Sequence, residues 1–191
     1  MTLSDCENII RPLLSERRYQ HCVNVAREAK TLAERCGADT QEAQKAGLLH
    51  DIMKEAPPDE QLKIMEASGI ILTNVERGAP KLWHAMAGAA YLERELHIAD
   101  RDLLNAVRYH TTGRAGMSVL EKIIFVADFI SAERDYDGVE GIRAAAQKGL
   151  ESAVIAGLAF TLADLAQAHK PIHPDTFSAY NDVLLSQNRQ Q

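Results

Sequence analysis

Two side-chain types, imidazole and carboxylate, carry most of the chemistry that this sequence can perform. His50 and Asp51 are adjacent and close an apolar stretch, 46–49, while Asp128 lies in the most apolar window of the chain, 123–130. A buried carboxylate costs several kcal/mol unless it is paired or bound to a metal. Imidazole plus carboxylate, without thiolate, suits iron, manganese or zinc bound for catalysis. The pattern therefore predicts a metal site.

The remaining candidates are histidines whose order along the chain strengthens this prediction. A lone histidine is more often a hydrogen-bonded core residue than a ligand. Here four of the seven histidines fall into one ordered series with the two aspartates, whereas His97, His169 and His173 do not. Helical bundles build metal sites from side chains that project inward from several helices. The full candidate set is His21, His50, Asp51, His84, His110 and Asp128.

The elements that must position these residues are predicted to be helices throughout, because no alternating run predicts a strand. The fold class is therefore all-α, a helical bundle with the metal site at its centre. A short first helix is predicted from a Ser4–Glu7 capping box, and the stretch 70–80 is predicted to be irregular. Longer helices are predicted over 16–36, from an Asp39–Glu42 capping box to His50-Asp51, and over 59–67, 81–96, 101–110, 119–130, 141–147, 151–169 and 175–186.

The adjacency of His50 and Asp51 constrains the conformation of the backbone around them. Neighbouring side chains on a regular helix diverge by about 100°. The two can face one site more easily where the helix ends, so we predict a helix terminus there. Lys54 follows three residues later, either as a cation for phosphate or as a solvated lysine in a C-terminal turn.

Length, charge and cysteine content exclude several other classes. The chain has 191 residues and a net charge of −6, which argues for one domain and against a nonspecific nucleic-acid binder. We find no signal peptide, and no apolar run of the roughly 18 residues that a membrane span needs, so we expect no membrane partner. Cys6, Cys22 and Cys36 lack metal-ligand spacing, and we expect them reduced and packed in a cytoplasmic protein.

The ordered series His21, His50-Asp51, Asp128, with His84 and His110 between, resembles the HD-domain metal-dependent phosphohydrolases. The local sequence is similar to that of the YqeK-type subgroup, the symmetrical diadenosine-tetraphosphate hydrolases, from about Arg18 to Thr176. One stretch departs from it, since 130–134 reads Ile-Ser-Ala-Glu-Arg where the subgroup reads Ile-Glu-Pro-x-Arg. The similar segments are His50-Asp51-Ile52-Met53-Lys54, His84-Ala85-Met86-Ala87-Gly88, Val107 to Arg114 and Leu120 to Asp128.

The resemblance implies a domain layout and a set of roles. Residues 1–191 would form a single HD domain with its core at about 16–134, and the C-terminal helices would complete the bundle and the nucleotide pocket. His21, His50, Asp51 and Asp128 would hold one metal; Asp51 would bridge to a second, completed by His84 and His110. The metal would be iron, mono- or dinuclear, with manganese as the alternative, and Asp51 and Lys54 would be catalytic.

A wider set of residues would bind nucleotide and phosphate if the resemblance holds. Without it, Thr111 is simply a helix-terminating threonine, the tail motif 171–176 a loop and helix start, and Trp83 a core residue. The wider set is Arg18, His21, Asp51, Lys54, His84, His110, Thr111, Arg114, Asp128, Arg134, Pro171, Ile172, His173, Pro174, Asp175 and Thr176.

The function that the resemblance implies is metal-dependent hydrolysis of diadenosine tetraphosphate to two ADP. The partner would be this small dinucleoside polyphosphate, with a homodimer as a possible assembly. One alternative keeps the centre but changes the substrate to another nucleotide. A second alternative is a nucleotide- or metal-binding helical regulator without turnover.

Overall fold

The computed structural model describes residues 1–188, which form eleven α-helices and one 3₁₀ turn and contain no strand. The predicted all-α fold class is confirmed. The helices are α1 (Leu3–Ile10), α2 (Glu16–Cys36), α3 (Thr40–Leu49), α4 (Pro58–Ala67), α5 (Asn74–Arg77), α6 (Trp83–Arg94), α7 (Arg101–Tyr109), α8 (Val119–Ile130), α9 (Val139–Lys148), α10 (Leu150–Gln167) and α11 (Pro174–Asn188), and the 3₁₀ turn is Pro80–Leu82.

Most helix boundaries follow from capping residues that the sequence displays. Ser15 caps α2, and Gly37 ends it in the left-handed region at φ 66°, as predicted. Ser118 and Glu121 form a capping box at the start of α8. The capping box predicted for α1 is wrong, because Thr2 and Asp5 offer the same spacing two residues earlier and form it instead.

Two further predictions of local structure need correction. Asp39 caps α3 by accepting from the backbone of Gln41 and Glu42, but the Glu42 side chain binds Lys45 at 2.7 Å and does not complete a box. The stretch 70–80 is not wholly irregular, because α5 forms there behind a Thr73–Glu76 capping box. A four-residue helix is too short to show a hydrophobic period, so only its cap could have predicted it.

Helix α8 is the central element of the bundle and packs against α2, α3, α7, α9 and α10. Its run 123–127 is fully buried, at 0–1% exposure. Asp128, at the end of this run, is therefore carried to the middle of the domain by the burial of its neighbours. This explains how an aspartate in the most apolar window comes to face other polar side chains.

Helices α2 and α3 approach each other unusually closely, because small residues line both faces. Ala26 and Ala29 on α2 and Ala46 and Gly47 on α3 are all buried. A β-carbon added at Gly47 would lie 2.7 Å from the Ala26 Cα and 2.9 Å from its nitrogen. The close packing sets the distance between His21 on α2 and the His50-Asp51 pair that follows α3.

Helix α10 is the one helix among residues 1–188 that is long and apolar enough, by length and composition, to cross a membrane. It has 18 residues with a mean hydropathy of 1.3, and 22% of them are buried. The expectation that no such run exists is therefore wrong on this measure. Its buried residues, including Val154 and Leu158, contribute to the same core as α8.

The three cysteines are free thiols, and two of them behave as predicted. Cys6 and Cys22 are buried at 0% exposure, where they pack as small hydrophobic residues. Cys36 is exposed at the end of α2, so the expectation of packing is wrong for that residue.

Candidate metal centre

The six imidazole and carboxylate side chains converge on one point, with Asp51 in the middle. Oδ2 of Asp51 lies 3.4 Å from Nε2 of His50 and 3.7 Å from Nε2 of His21. Oδ1 lies 3.1 Å from Nε2 of His84 and 3.5 Å from Nε2 of His110. Asp128 lies at the His21 end of the cluster, where its Oδ1 is 3.1 Å from Nε2 of His21. The cluster is therefore elongated, with one histidine pair on each oxygen of a single carboxylate.

The same local backbone arrangement positions His50 and His110. Each is the first residue after a helix, following α3 and α7 respectively. Each Nδ1 lies 2.7 Å from the carbonyl oxygen three residues earlier, that of Gly47 for His50 and of Val107 for His110. Carbonyls in the last turn of a helix lack partners and accept such bonds. The predicted helix terminus at His50-Asp51 is confirmed, and it turns both side chains inward.

The arrangement of hydrogens fits a bound cation. Since Nδ1 of His50 and His110 donates to a carbonyl, the neutral rings present Nε2 as an acceptor. Nε2 of His21 and His50 are 3.2 Å apart, as are Nε2 of His84 and His110. Oδ1 of Asp51 is buried and receives no hydrogen bond, although His84 Nε2 lies 3.1 Å away. Acceptors that face one another at such distances are stabilised when a cation lies between them.

The ligand atoms divide into overlapping groups, each compact enough for one ion. Within each group all ligand atoms lie within 4.8 Å of one another. Asp51 belongs to two of the groups, one towards His21 and one towards His84. The groups are His21, His50 and Asp51; His50, His110 and Asp128; and Asp51, His84 and His110.

Electrostatics keep the carboxylates ionised and one histidine neutral. Burial would raise the pKa of Asp51, but electrostatic interactions with His50 and the other histidines around it hold that pKa well below its usual range. Burial likewise opposes ionisation of Asp128, whose pKa is lowered by His21 and Arg134. Burial lowers the pKa of His84 to about 4, which leaves its imidazole neutral. These are the protonation states that metal ligands require.

Three of the predicted phosphate-binding cations surround the cluster. Lys54 places Nζ 3.1 Å from Nε2 of His84 and 3.7 Å from Oδ1 of Asp51. Arg18 donates from Nη1 to Oδ2 of Asp51 at 2.9 Å. Arg134 donates to both the backbone and the carboxylate of Asp128. Lys54 and Arg18 compensate the buried carboxylate of Asp51, and Arg134 compensates the carboxylate of Asp128, which is partly exposed.

Other predicted residues lie outside the cluster. Arg114 makes a bidentate pair with the buried Glu121, with both bonds at 2.6 Å, so a phosphate contact for Arg114 stays a prediction. Thr111, next to His110, lines a cavity of about 540 Å³.

The tail motif also borders that 540 Å³ cavity, through Pro171, His173 and Thr176. His173 lies 3.3 Å from the Glu76 carboxylate, which joins the motif to α5. Pro174 begins α11 and Asp175 lies in its first turn, as predicted. The motif is therefore held at the rim of the cavity, and a contact of Ile172 with nucleotide stays a prediction.

Glu133 is a residue that the sequence analysis missed. Its carboxylate makes a short contact with Nδ1 of His21, and it accepts from Ser131 Oγ at 2.8 Å and from Asn24 Nδ2 at 2.7 Å. His21 is thus the cluster histidine whose Nδ1 faces a carboxylate, where His50 and His110 face carbonyls. A carboxylate fixes the ring and increases the basicity of Nε2. Glu133 lies in the segment that departs from the subgroup pattern, which was the available signal.

Removing the Glu133 carboxylate is expected to weaken metal binding at the His21 end. Glu133→Ala should raise the Kd for Mn²⁺ by about 10- to 100-fold, the usual cost of losing such a support. Glu133→Gln keeps an acceptor oxygen without the charge, so its Kd for Mn²⁺ should lie between those of the wild type and of Glu133→Ala. Titration calorimetry on metal-free protein measures both, with Glu140→Ala, an exposed glutamate on α9, as the control. An unchanged Kd for Glu133→Ala would contradict the assigned role.

Known proteins are similar to this chain over most of its length. Residues 18–133 match the HD domain family. Symmetrical bis(5'-nucleosyl)-tetraphosphatases are 40% identical, that of Halalkalibacterium halodurans over 94% of this chain and 95% of its own, and that of Bacillus subtilis over 90% and 92%. A crystal structure from Clostridium acetobutylicum, titled a predicted HD superfamily hydrolase involved in NAD metabolism, has a TM-score of 0.92 and 32% identity, covering 97% of this chain and 98% of that one.

Proposed function

The chain belongs to the HD domain family, and from this premise we propose that it hydrolyses diadenosine tetraphosphate symmetrically to two ADP. The reaction takes place at the six-residue cluster. Water adds to one of the two central phosphorus atoms, the bond from that phosphorus to the central bridging oxygen breaks, and the leaving oxygen takes up a proton. Each half then carries two phosphates, which is what makes the cleavage symmetrical.

The observation that carries this proposal is the convergence of four Nε2 atoms on one buried carboxylate. Asp51 is 1% exposed, and Oδ1 receives no hydrogen bond. A regulator without turnover would not need this many ligands around a solvent-free carboxylate, whereas hydrolysis of a phosphoric anhydride uses a two-cation site. We therefore favour the enzyme over the nonenzymatic alternative.

The metal ligands would be His21, His50, Asp51 and Asp128 for one ion and Asp51, His84 and His110 for a second. Oxygen and nitrogen ligands suit iron, with manganese as the alternative. Bound cations supply Lewis-acid activation of water and of the phosphoryl oxygens. Lys54 and Arg18 hold nonreacting phosphates and orient the central anhydride over Asp51.

A nucleotide panel and elemental analysis test the proposal together. Protein expressed with iron or manganese should contain one to two equivalents of metal, a range set by the two-ion geometry. Diadenosine tetraphosphate should give ADP as the sole product, without AMP or ATP, as resolved by ion-exchange chromatography. A preference for another nucleotide would support the alternative substrate, and metal-loaded protein without turnover on any member would overturn the proposal. We place this reaction in the cytoplasm.

Lys54 is expected to act on substrate without holding metal. Lys54→Ala should keep the wild-type metal content while kcat/KM for the tetraphosphate falls by about one to two decades, the value of one charge-assisted contact. Lys63→Ala, a lysine with a 77% exposed side chain on α4, is the matched control and should leave both unchanged. Loss of metal in Lys54→Ala would instead make Lys54 part of the ligand support. Arg134→Ala should reduce both the metal content and kcat/KM, because Arg134 forms an ion pair with Asp128.

A further inference from the structure

A second cavity, distinct from the one at the tail motif, opens beside the Asp128 end of the cluster. Its volume is about 310 Å³, within the size range of small-ligand pockets. We call it the aromatic recess. It is lined by Asp128, Phe129, Arg134, Tyr136, Phe160 and Asp164.

The position of the aromatic recess relative to the cluster is informative. Asp128 and Arg134 form its inner wall, and Asp128 lies 3.1 Å from His21. The 540 Å³ cavity at the tail motif is lined by Thr111, the residue that follows His110. Asp164 on α10 borders both cavities, so the two are neighbours. Each recess therefore adjoins the cluster at a different residue, one at Asp128 and the other beside His110.

Three aromatic rings form the outer wall of the recess and are held in place. Tyr136 and Phe160 have ring centroids 5.1 Å apart, and Tyr136 donates its hydroxyl to the carbonyl of Phe129 at 3.0 Å. Gly138 adopts φ 101°, and a β-carbon there would lie 3.1 Å from the Phe160 ring. Glycine thus lets the loop fold against Phe160. All three rings stay partly exposed.

The chemistry of this wall suits a nucleoside. Aromatic faces stack on bases whatever their sequence, and each such contact contributes substantially to binding. Asp164 is exposed and offers acceptor oxygens for an amino group or for ribose hydroxyls. Arg134, at the inner end, is placed for the adjoining phosphate. From Asp128 outwards the recess thus presents a cation first and a stacking surface next, in the order of phosphate and nucleoside.

We propose that the aromatic recess binds the second nucleoside of the dinucleotide, while the tail-motif cavity binds the first. The inference rests on the proposed function, because only a substrate with a nucleoside at each end needs both recesses. With one nucleoside in each, the tetraphosphate runs along the cluster and its central anhydride lies over Asp51. Symmetrical cleavage then follows from the placement of the two ends.

The test compares diadenosine tetraphosphate with adenosine 5'-tetraphosphate, which has the same phosphates and lacks the second nucleoside. Phe160→Leu and Tyr136→Leu remove a ring and retain apolar volume. Each should raise KM for the dinucleotide by about 5- to 100-fold, the range for one stacked base. KM for the mononucleotide should change by less than about twofold, since its single nucleoside occupies the tail-motif cavity. Phe177→Leu, at a 57% exposed phenylalanine that lines neither cavity, is the matched control.

Each outcome of this comparison decides the proposal. Equal increases in KM for both substrates, or no increase for either, would overturn it and make the three rings a packing cluster only. Melting temperatures identify a variant that fails to fold, and Phe160→Tyr, which keeps the ring, then replaces it and should keep the wild-type KM. If wild-type protein turns over neither nucleotide, the proposed function fails separately. The Kd values of both nucleotides, measured by titration calorimetry of the metal-loaded variants, then test whether the aromatic recess binds the second nucleoside.

Discussion

Replacing Asp51 by alanine is expected to lower kcat/KM for diadenosine tetraphosphate by about three orders of magnitude or more. Asp51 alone contacts both histidine pairs, with Oδ2 towards His21 and His50 and Oδ1 towards His84 and His110. Its loss removes the ligand that the two candidate ion positions share. Stabilisation of transition-state charge by such ions amounts to several kcal/mol, and about 1.4 kcal/mol corresponds to one decade in rate.

Metal content and a matched control make the Asp51 result specific. Elemental analysis should show the variant with fewer equivalents than wild type, and added metal should no longer raise its melting temperature. Asp51→Asn keeps the shape without the charge and should be comparably inactive. Asp59→Ala, whose side chain is 72% exposed on α4, should behave as wild type. Wild-type turnover and metal content in Asp51→Ala would show that Asp51 is not a ligand of the metal centre.

Gly47→Ala is expected to destabilise the protein, because the β-carbon it adds makes the shortest contact of any placed at the glycines of this protein. The new β-carbon would lie 2.7 Å from the backbone of Ala26, so α3 must move away from α2. Overpacking of this kind costs about 1–3 kcal/mol, which lowers the melting temperature by about 2–12 °C in a domain of this size. The Gly47 carbonyl also holds His50, so the metal content should fall with it.

Gly141→Ala is the matched control for Gly47, because it adds the same methyl group to a helix with nothing within 4 Å. It should stabilise the protein by about 0.5–1 kcal/mol through the smaller entropy of the unfolded chain. Scanning calorimetry of both variants checks the pair. Equal melting temperatures would show that α2 and α3 tolerate a wider spacing than the one described.

The sequence predicted the parts of the fold that depend on local signals. Helices α2 and α8 were predicted with their observed bounds, α2 with the help of Gly37 at its end and α8 from the most apolar window of the chain. The end of α3 at His50-Asp51 was predicted from the adjacent pair, because two neighbouring side chains face one site more easily where a helix ends. The cap of α1 and the existence of α5 were missed because the same capping residues recur at neighbouring positions or begin helices too short to show a period.

The residues of the site that escaped prediction act through contacts distant in sequence. Glu133 meets His21 across 112 positions of the chain, and no spacing rule connects them. Arg114, by contrast, pairs with Glu121 only seven positions away, and its phosphate contact stays a prediction. A sequence displays which side chains can do chemistry, whereas their partners are set by the packing of whole helices.

The ligand-type residues end at position 128, whereas the walls of the aromatic recess extend to position 164 and those of the tail-motif cavity to position 176. A chain leaves the ribosome N-terminus first, so the complete ligand set emerges before α9, α10 and α11 exist. The proposed metal ligands therefore leave the ribosome before the residues that complete either proposed nucleoside recess.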